Sequence, residues 1–108
     1  MGDIVIIAKI WFEFDEWLDK YDEDDVNADV HFELTDGTKW SASLYTYRNI
    51  FSLSEKNCNT GENLSGKYFI ADKPIFISAM NKELIISVLN DIIANETDLS
   101  SVFTKVVD

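Results

Sequence analysis

One acidic stretch, residues 15–25, holds most of the side chains that could do chemistry in this chain, because seven carboxylates are mixed there with large apolar side chains. Clustered carboxylates can bind a divalent cation, or they can face a basic protein surface in place of phosphates. Aromatic rings among them would add buried contact area once water is excluded. We expect the following residues to contact a partner: Asp15, Glu16, Trp17, Asp19, Tyr21, Asp22, Glu23, Asp24 and Asp25.

A specific calcium site is excluded by the spacing of these acids. An EF-hand loop starting at Asp25 would have Val30 at its sixth position, where the sharp turn needs glycine. Its twelfth position would be Asp36 instead of glutamate. Weak, nonspecific binding of divalent ions by Asp22, Asp24 and Asp25 stays open. We predict no metal site and no cofactor.

The remaining reactive side chains do not form a catalytic set. His31 is the only histidine, and no nucleophile or metal ligand accompanies it in the nearby sequence. Cys58 is the only cysteine, so an intramolecular disulfide and a cysteine-based zinc site are both excluded. We therefore expect the protein not to be an enzyme.

The charge of the chain is concentrated in its first third. Residues 1–36 contain twelve acids and two lysines, whereas residues 37–108 contain eight acids and seven basic residues. The net charge of −11 disfavours nucleic acids and anionic membranes as partners and favours basic proteins. The apolar stretch Ile4–Ile10 is preceded by Asp3, interrupted by Lys9 and soon followed by Glu13, so we predict no secretory signal and a cytoplasmic protein.

The residues at the start of the chain alternate in the pattern of a long β-strand. If residues 4–14 are extended, one face is uniformly apolar and the other is mixed. The acidic stretch then connects this strand to the next, with one helical turn at Glu16–Tyr21, and Asn27 ends the connection. The apolar face consists of Ile4, Ile6, Ala8, Ile10, Phe12 and Phe14.

A β-hairpin over residues 29–45 can be predicted down to its register. A two-residue turn would place polar side chains opposite core side chains. A three-residue loop, residues 35–37, avoids this mismatch and places Gly37 at the left-handed position of a bulged turn. The pairs that follow are Val30 with Ala42, His31 with Ser41, Phe32 with Trp40 and Glu33 with Lys39.

The rest of the chain predicts mainly helices. Thr46 is a suitable N-cap for a short helix over residues 47–56, and Asp98 or Thr97 for a final one. We expect one domain, residues 1–108, with an α+β fold: an antiparallel sheet of about four to five strands with two to three helices packed on one face. The predicted segments are a loop at Asn57–Gly66, strands at Lys67–Ile70 and Pro74–Ser78, and helices at Lys82–Ala94 and Asp98–Val106.

Two segments also resemble a known class of proteins. Residues 40–50 contain Trp-Ser-Ala followed by Thr-Tyr-Arg-Asn-Ile, and residues 60–69 read Thr-Gly-Glu-Asn-Leu-Ser-Gly-Lys-Tyr-Phe. They resemble the small, acidic α+β immunity proteins that are encoded beside bacterial toxins of polymorphic and contact-dependent systems. The resemblance implies a noncatalytic protein that neutralises a basic, nuclease-like toxin domain by direct binding.

Other interpretations of the sequence stay open. Trp17 and Leu18 could simply cover one end of the sheet, with the neighbouring acids in solvent. The chain could also be a structural or regulatory interaction module, with homodimer formation through a sheet edge. A third alternative is an enzyme or ligand carrier, for which a deep polar pocket around His31 or Glu33 would be the structural sign.

Overall fold

A computed structural model describes residues 4–107 and confirms the predicted α+β class. Within this range a mostly antiparallel five-stranded sheet is combined with three helices. No described helix is long and apolar enough to cross a membrane. The elements are β1 (Ile7–Phe12), β2 (Asn27–Leu34), β3 (Lys39–Thr46), α1 (Tyr47–Thr60), α2 (Glu62–Gly66), β4 (Pro74–Ile77), α3 (Lys82–Asn95) and β5 (Thr104–Val106).

The β2–β3 hairpin has the predicted three-residue loop and the predicted register. Leu34 faces Thr38 across the loop, and its N–H donates to the Thr38 carbonyl oxygen at 2.9 Å. Gly37 has a φ of +87°, the left-handed conformation that this turn requires. All four predicted pairs are present, including Phe32 with Trp40. The hairpin therefore places every second side chain of both strands on the same apolar face.

The order of the strands is β1-β2-β3, and the far edge of β3 is shared by two short strands. β5 pairs antiparallel with the start of β3, where Lys39 faces Val106. β4 pairs with the end of β3, where Thr46 faces Ile77, and it runs parallel to β3. The expectation of a purely antiparallel sheet is wrong for this pair, because the chain returns through α1 and α2 before β4 begins.

β1 is shorter than predicted and contains an irregularity. Its register against β2 shifts between Ile7 and Lys9, as at a β-bulge that leaves Ala8 unpaired. A bulge reverses which face each later residue occupies. The predicted apolar face is therefore correct for residues 10–14 and wrong before the bulge, where Ile4, Ile6 and Ala8 are exposed and Val5 and Ile7 pack toward the core.

The core lies between one face of the sheet and α3. Asn81 caps α3 by accepting a hydrogen bond from the Leu84 N–H at 2.9 Å, and Ile85 and Leu89 of this helix are buried. Phe103 is buried as well, edge-on to the Phe32 ring with centroids 5.0 Å apart. The sheet residues buried beneath these groups are Phe12, Ala28, Val30, Phe32, Leu34, Trp40, Ala42, Leu44, Thr46 and Ile77.

Several further segments differ from the prediction. α1 begins at the predicted cap, Thr46, but continues through the predicted loop to Thr60. The segment 67–70 forms no strand, and the acidic connection carries its helical turn at Glu13–Glu16 instead of Glu16–Tyr21. The predicted final helix is a short 3-10 turn, capped by Asp98, that leads into β5.

α2 is a single turn in which Asn63, Leu64 and Ser65 all have left-handed backbone angles. It packs against α1 through Gly66, whose carbonyl oxygen accepts a hydrogen bond from the Ser54 hydroxyl at 2.6 Å. Gly66 itself has a φ of +82°, and a Cβ atom at this position would collide with the Ser54 carbonyl oxygen. Only glycine therefore fits at this contact.

We expect Gly66→Ala to lower the free energy of unfolding by about 2 kcal/mol, because the new methyl group separates α2 from α1. Urea denaturation followed by far-UV circular dichroism measures this loss. Gly37→Ala is the matched control, because Gly37 also has a positive φ but nothing lies near its Cβ position. That control should cost only about 1 kcal/mol, and equal losses would contradict the proposed collision.

Candidate protein-binding surface

Residues 15–25, here called the acidic loop, form an ordered connection between β1 and β2. The Asp25 N–H donates to the Asp22 carbonyl oxygen at 3.0 Å and closes a turn. The Glu23 carbonyl oxygen accepts from the Met80 N–H at 2.7 Å, which ties the loop to the segment before α3. At its end the Val26 N–H donates to the Thr46 hydroxyl oxygen at 3.1 Å. These hydrogen bonds hold the backbone of the second half of the loop against the fold.

Two rings of the loop pack on the edge of the core. Trp17 and Tyr21 are half-buried and stand nearly perpendicular to each other, with centroids 5.4 Å apart. Both contact the buried Phe14 ring, at centroid distances of 6.3 Å for Trp17 and 5.3 Å for Tyr21. Leu18 points the other way and is fully exposed. Of the two residues that could cover the sheet, Trp17 does so and Leu18 does not.

A shallow depression of about 410 Å³ lies beside this cluster. The rings of Phe14, Trp17 and Tyr21 line it, together with Leu18, Asp19, Lys20 and Glu23. Burial raises the pKa of the Tyr21 hydroxyl, and the negative charges of Glu23 and then Asp15 raise it further. The depression is therefore an aromatic surface in a field of negative charge.

The acids at the start of the loop are already engaged by the protein. Asp15 forms a salt bridge with Lys82, with Oδ1 and Nζ 2.9 Å apart, and the same ammonium lies 5.1 Å from the centroid of the Phe12 ring. Glu16 accepts a hydrogen bond from the indole N–H of Trp11 at 3.3 Å. These contacts neutralise or orient both carboxylates, so they contribute less to the field at the depression.

Asp25 holds the loop against α1. Its Oδ2 accepts from the Ser52 hydroxyl at 2.6 Å, and its Oδ1 accepts from the Asn49 side-chain N–H at 3.1 Å. Asn49 is buried, and its own Oδ1 accepts from the Asn27 side chain at 2.9 Å. The hydrogen bonds from Ser52 and then Asn49 hold the pKa of Asp25 below its ordinary value of 3.8. Asp25 therefore positions the loop within the fold.

We expect Asp25→Asn to lower the free energy of unfolding at pH 7 by about 1.5 kcal/mol, because the charge-assisted hydrogen bonds are lost. Since the folded-state pKa is depressed, the stabilisation by the carboxylate is present at neutral pH and disappears as the pH falls below 3.8. The stability difference between wild type and Asp25→Asn should therefore shrink between pH 7 and pH 3 in urea titrations. Asp24→Asn serves as control, and an equal effect there would contradict the assignment.

The acids that remain divide into two kinds. Asp22 accepts a hydrogen bond from the Asp24 N–H at 2.9 Å and thereby stabilises its own turn. Asp19, Glu23 and Asp24 are exposed, and within residues 4–107 their carboxylates have no hydrogen-bonding or ionic partner. These three side chains, Leu18 and the exposed Lys20 are the parts of the loop free to contact another molecule.

The other reactive side chains lie apart from the acidic loop. Within residues 4–107, no group of three or more histidine, cysteine, aspartate or glutamate side chains is arranged to hold a metal ion. His31 stands edge-on to Trp11 with centroids 5.1 Å apart, beside a shallow depression of about 340 Å³ that Glu33 also lines. Cys58 is exposed on α1. The acidic loop is therefore the best-defined candidate surface.

Comparison of the chain with family models, curated proteins and solved structures finds no match. The class of the protein is thus given by its fold alone: an α+β domain with a five-stranded sheet.

The sequence predicted the acidic loop as a unit, and the structure separates its members by their contacts. Leu18 was not among the predicted contact residues, although a leucine within an acidic run is a usable signal. Trp17 and Tyr21 are spaced so that both can pack inward against each other. Leu18, which follows Trp17, is then directed outward. Lys82 could not be assigned to this region from the sequence, because it lies sixty-seven positions after Asp15, its salt-bridge partner.

Proposed function

We propose that the protein binds a basic protein partner through the acidic loop and neutralises it without catalysis. The observation that carries this proposal is the depression lined by Phe14, Trp17 and Tyr21, where the carboxylates of Asp19 and Glu23 outnumber the one ammonium group, that of Lys20. Aromatic faces next to carboxylates recognise cationic side chains. A basic partner is therefore the kind of molecule that this surface fits best.

The chemistry of the depression favours an arginine or lysine side chain as its occupant. An arginine guanidinium is flat, so it can stack on Trp17 or Tyr21 while its N–H groups donate to Asp19 or Glu23. Leu18 extends the contact with an apolar side chain that is fully exposed in the free protein. A central cation with an apolar neighbour is the composition expected of an energetic centre in a protein interface.

The free carboxylates also favour rapid association. Asp19, Glu23 and Asp24 point into solvent from an ordered loop, so binding does not require the backbone to reorganise. A fixed negative field of this kind accelerates encounters with a positively charged surface, and salt weakens that acceleration. Binding should therefore be strong at low ionic strength and sensitive to added salt.

The resemblance to immunity proteins makes a bacterial toxin domain of the nuclease type the leading candidate for this partner. Such a domain binds phosphates through lysine and arginine, and carboxylates can occupy the same positions. In this proposal the protein acts in the cytoplasm, where the nucleic acids that a nuclease would attack are found. No nucleic acid or membrane is required as a further partner.

Co-purification from the native host tests the proposal. Tagged protein is bound at low salt, eluted with a salt gradient, and the eluted proteins are identified by mass spectrometry. We expect a basic toxin domain, and co-expression with the protein should restore the growth of cells that produce this domain. Recovery of only acidic or neutral proteins, or a toxin whose growth inhibition is unchanged by co-expression, would contradict the proposed function.

A further inference from the structure

β1 forms one outer edge of the sheet, and within residues 4–107 no strand pairs with its far side. The ordered edge begins before β1 itself. The Ile6 N–H donates to the Thr35 hydroxyl at 3.2 Å, and the Thr35 N–H donates to the Ile6 carbonyl oxygen at 2.9 Å. Because alternate residues of a strand direct their backbone groups to opposite edges, Val5 and Ile7 present theirs outward. This edge is therefore ready to pair with another strand.

Both faces of this edge are apolar before the bulge. Val5 and Ile7 face the core, and Ile4 and Ile6 lie on the other face, where 53% of Ile6 is exposed. On the core side an open groove of about 860 Å³ separates the edge from α3, and Ile86 is among the residues that line it. Strands that are apolar on both faces are usually covered on both sides. The groove and the edge together thus form a surface that resembles an uncovered part of the core.

The charges of this surface differ from those of the rest of the protein. Its lining comes from residues 4–10 and from one side of α3, and Lys9 is the only charged residue among these lining residues. The chain as a whole contains twenty acids. A basic partner therefore gains nothing here, and an apolar, uncharged strand fits the surface best.

We propose that a second copy of this chain covers the edge, with the two β1 segments antiparallel about a twofold axis at Ile6. This register places Val5 opposite Ile7 of the other copy, so that the outward backbone groups of both residues are paired. It also places Ile4 opposite Ala8, next to the bulge that ends the regular ladder. The symmetric contact is self-complementary, as twofold interfaces must be.

The distribution of charge selects the antiparallel arrangement. Each copy carries a net charge of −11, so two copies repel unless their acids are kept apart. Around an axis at Ile6, the starts of the two acidic loops lie roughly 40 Å apart along the paired strands, at about 3.3 Å per residue, and Asp36 of the hairpin loop is the described acid beside the axis. The Debye length at physiological ionic strength is only about 8 Å. Parallel pairing would instead bring the two acidic loops side by side.

The same axis places the two α3 helices on one face of a continuous sheet. Each groove then opens toward the groove of the other copy, and Ile86 and Ile93, two of the α3 residues that line it, flank the seam. The acidic loops remain exposed at the two ends of the doubled sheet. Dimer formation and binding of a basic partner therefore use separate surfaces and can fail independently.

Sedimentation velocity and single-cysteine cross-linking test the proposal. The wild type should sediment as a dimer at about 100 µM, and Ile6→Lys should raise the dimer dissociation constant at least about tenfold, because it places a charge on the seam. Ile70→Lys is the matched control, since Ile70 is 79% exposed and lies outside the groove. In a Cys58→Ser background, Ile6→Cys should oxidise to a disulfide-linked dimer and Ile70→Cys should not.

A monomeric wild type at that concentration would overturn the proposal. A dimer that Ile6→Lys leaves unchanged, or a chain that cross-links through Ile70→Cys and not through Ile6→Cys, would overturn it as well. Added salt should leave the dimer intact, because the contact itself is apolar and the two acidic loops are distant from it. Dissociation of the dimer by salt would contradict the proposed seam.

Discussion

Charge reversal of the three free carboxylates, Asp19→Lys, Glu23→Lys and Asp24→Lys together, should slow association with the co-purified basic partner about 100-fold at low salt. These side chains are exposed and have no partner among residues 4–107, so the substitutions remove the field without removing a contact of the fold. The wild-type association rate should fall steeply as sodium chloride is raised, whereas the rate of the variant should change little. Stopped-flow or surface plasmon resonance measurements at several salt concentrations give both quantities.

The matched control reverses the charge of three carboxylates outside the acidic loop. Glu55, Asp72 and Glu96 are exposed and lie outside the acidic loop. Their replacement by lysine changes the net charge by the same amount as the loop variant. If the control slows association as much as the loop variant does, the effect comes from net charge and not from the loop. Unchanged association in the loop variant would contradict the placement of the binding surface.

The hairpin could be predicted in detail because its local signals agree with each other. Gly37 specifies a left-handed position, and only one register then aligns Phe32 with Trp40 on the buried face. The cap at Thr46 and the apolar stripe of α3 were predictable for the same reason. Where turn chemistry and periodicity point to one structure, tertiary contacts do not need to choose between alternatives.

The segments that could not be predicted are those whose secondary structure is determined by tertiary contacts. Residues 98–106 have a helical spacing of apolar residues, yet the free edge of β3 pairs with Lys105 and its neighbours and draws them into a strand. A single unpaired residue, Ala8, reverses the faces of the first strand, and the periodicity of residues 4–14 gives no sign of it. The end of α1 is different, because it follows a local signal that the loop prediction overlooked: Gly61 has the left-handed conformation of a helix C-cap, and its N–H donates to the Asn57 carbonyl oxygen.

The candidate surface shows the same division. Acid density along the chain was enough to locate the acidic loop, and the basic partner inferred from it stays a prediction. It could not show that Asp25 accepts hydrogen bonds from Ser52 and Asn49, because the whole β2–β3 hairpin separates these residues from Asp25 in the sequence. Nor could it show that Asp15 is paired with Lys82. Composition therefore predicts the sign of the field, whereas the fold decides which carboxylates produce it.

Replacement of Trp17 by alanine should lower the free energy of unfolding by about 3 kcal/mol, at the lower end of the range for buried aromatic residues because the ring is half-exposed. The substitution removes the contacts of the indole with Phe14 and Tyr21 and exposes part of the core beneath them. It also removes one wall of the depression, so binding of the basic partner should weaken at temperatures where the variant is fully folded. Urea denaturation and equilibrium binding at 10 °C measure the two losses separately.

Leu18→Ala is the complementary variant in the same loop. Because Leu18 is fully exposed, its truncation should change the stability by less than about 0.5 kcal/mol while still weakening the binding of the partner. The two variants together distinguish the expected role of the Trp17 ring, which stabilises the fold, from that of the Leu18 side chain, which would contact only the partner. A Trp17→Ala variant with unchanged urea midpoint would show that the indole is not packed on Phe14, and the depression would then lack its aromatic wall. A Leu18→Ala variant with unchanged affinity would instead place the contact on the carboxylates alone.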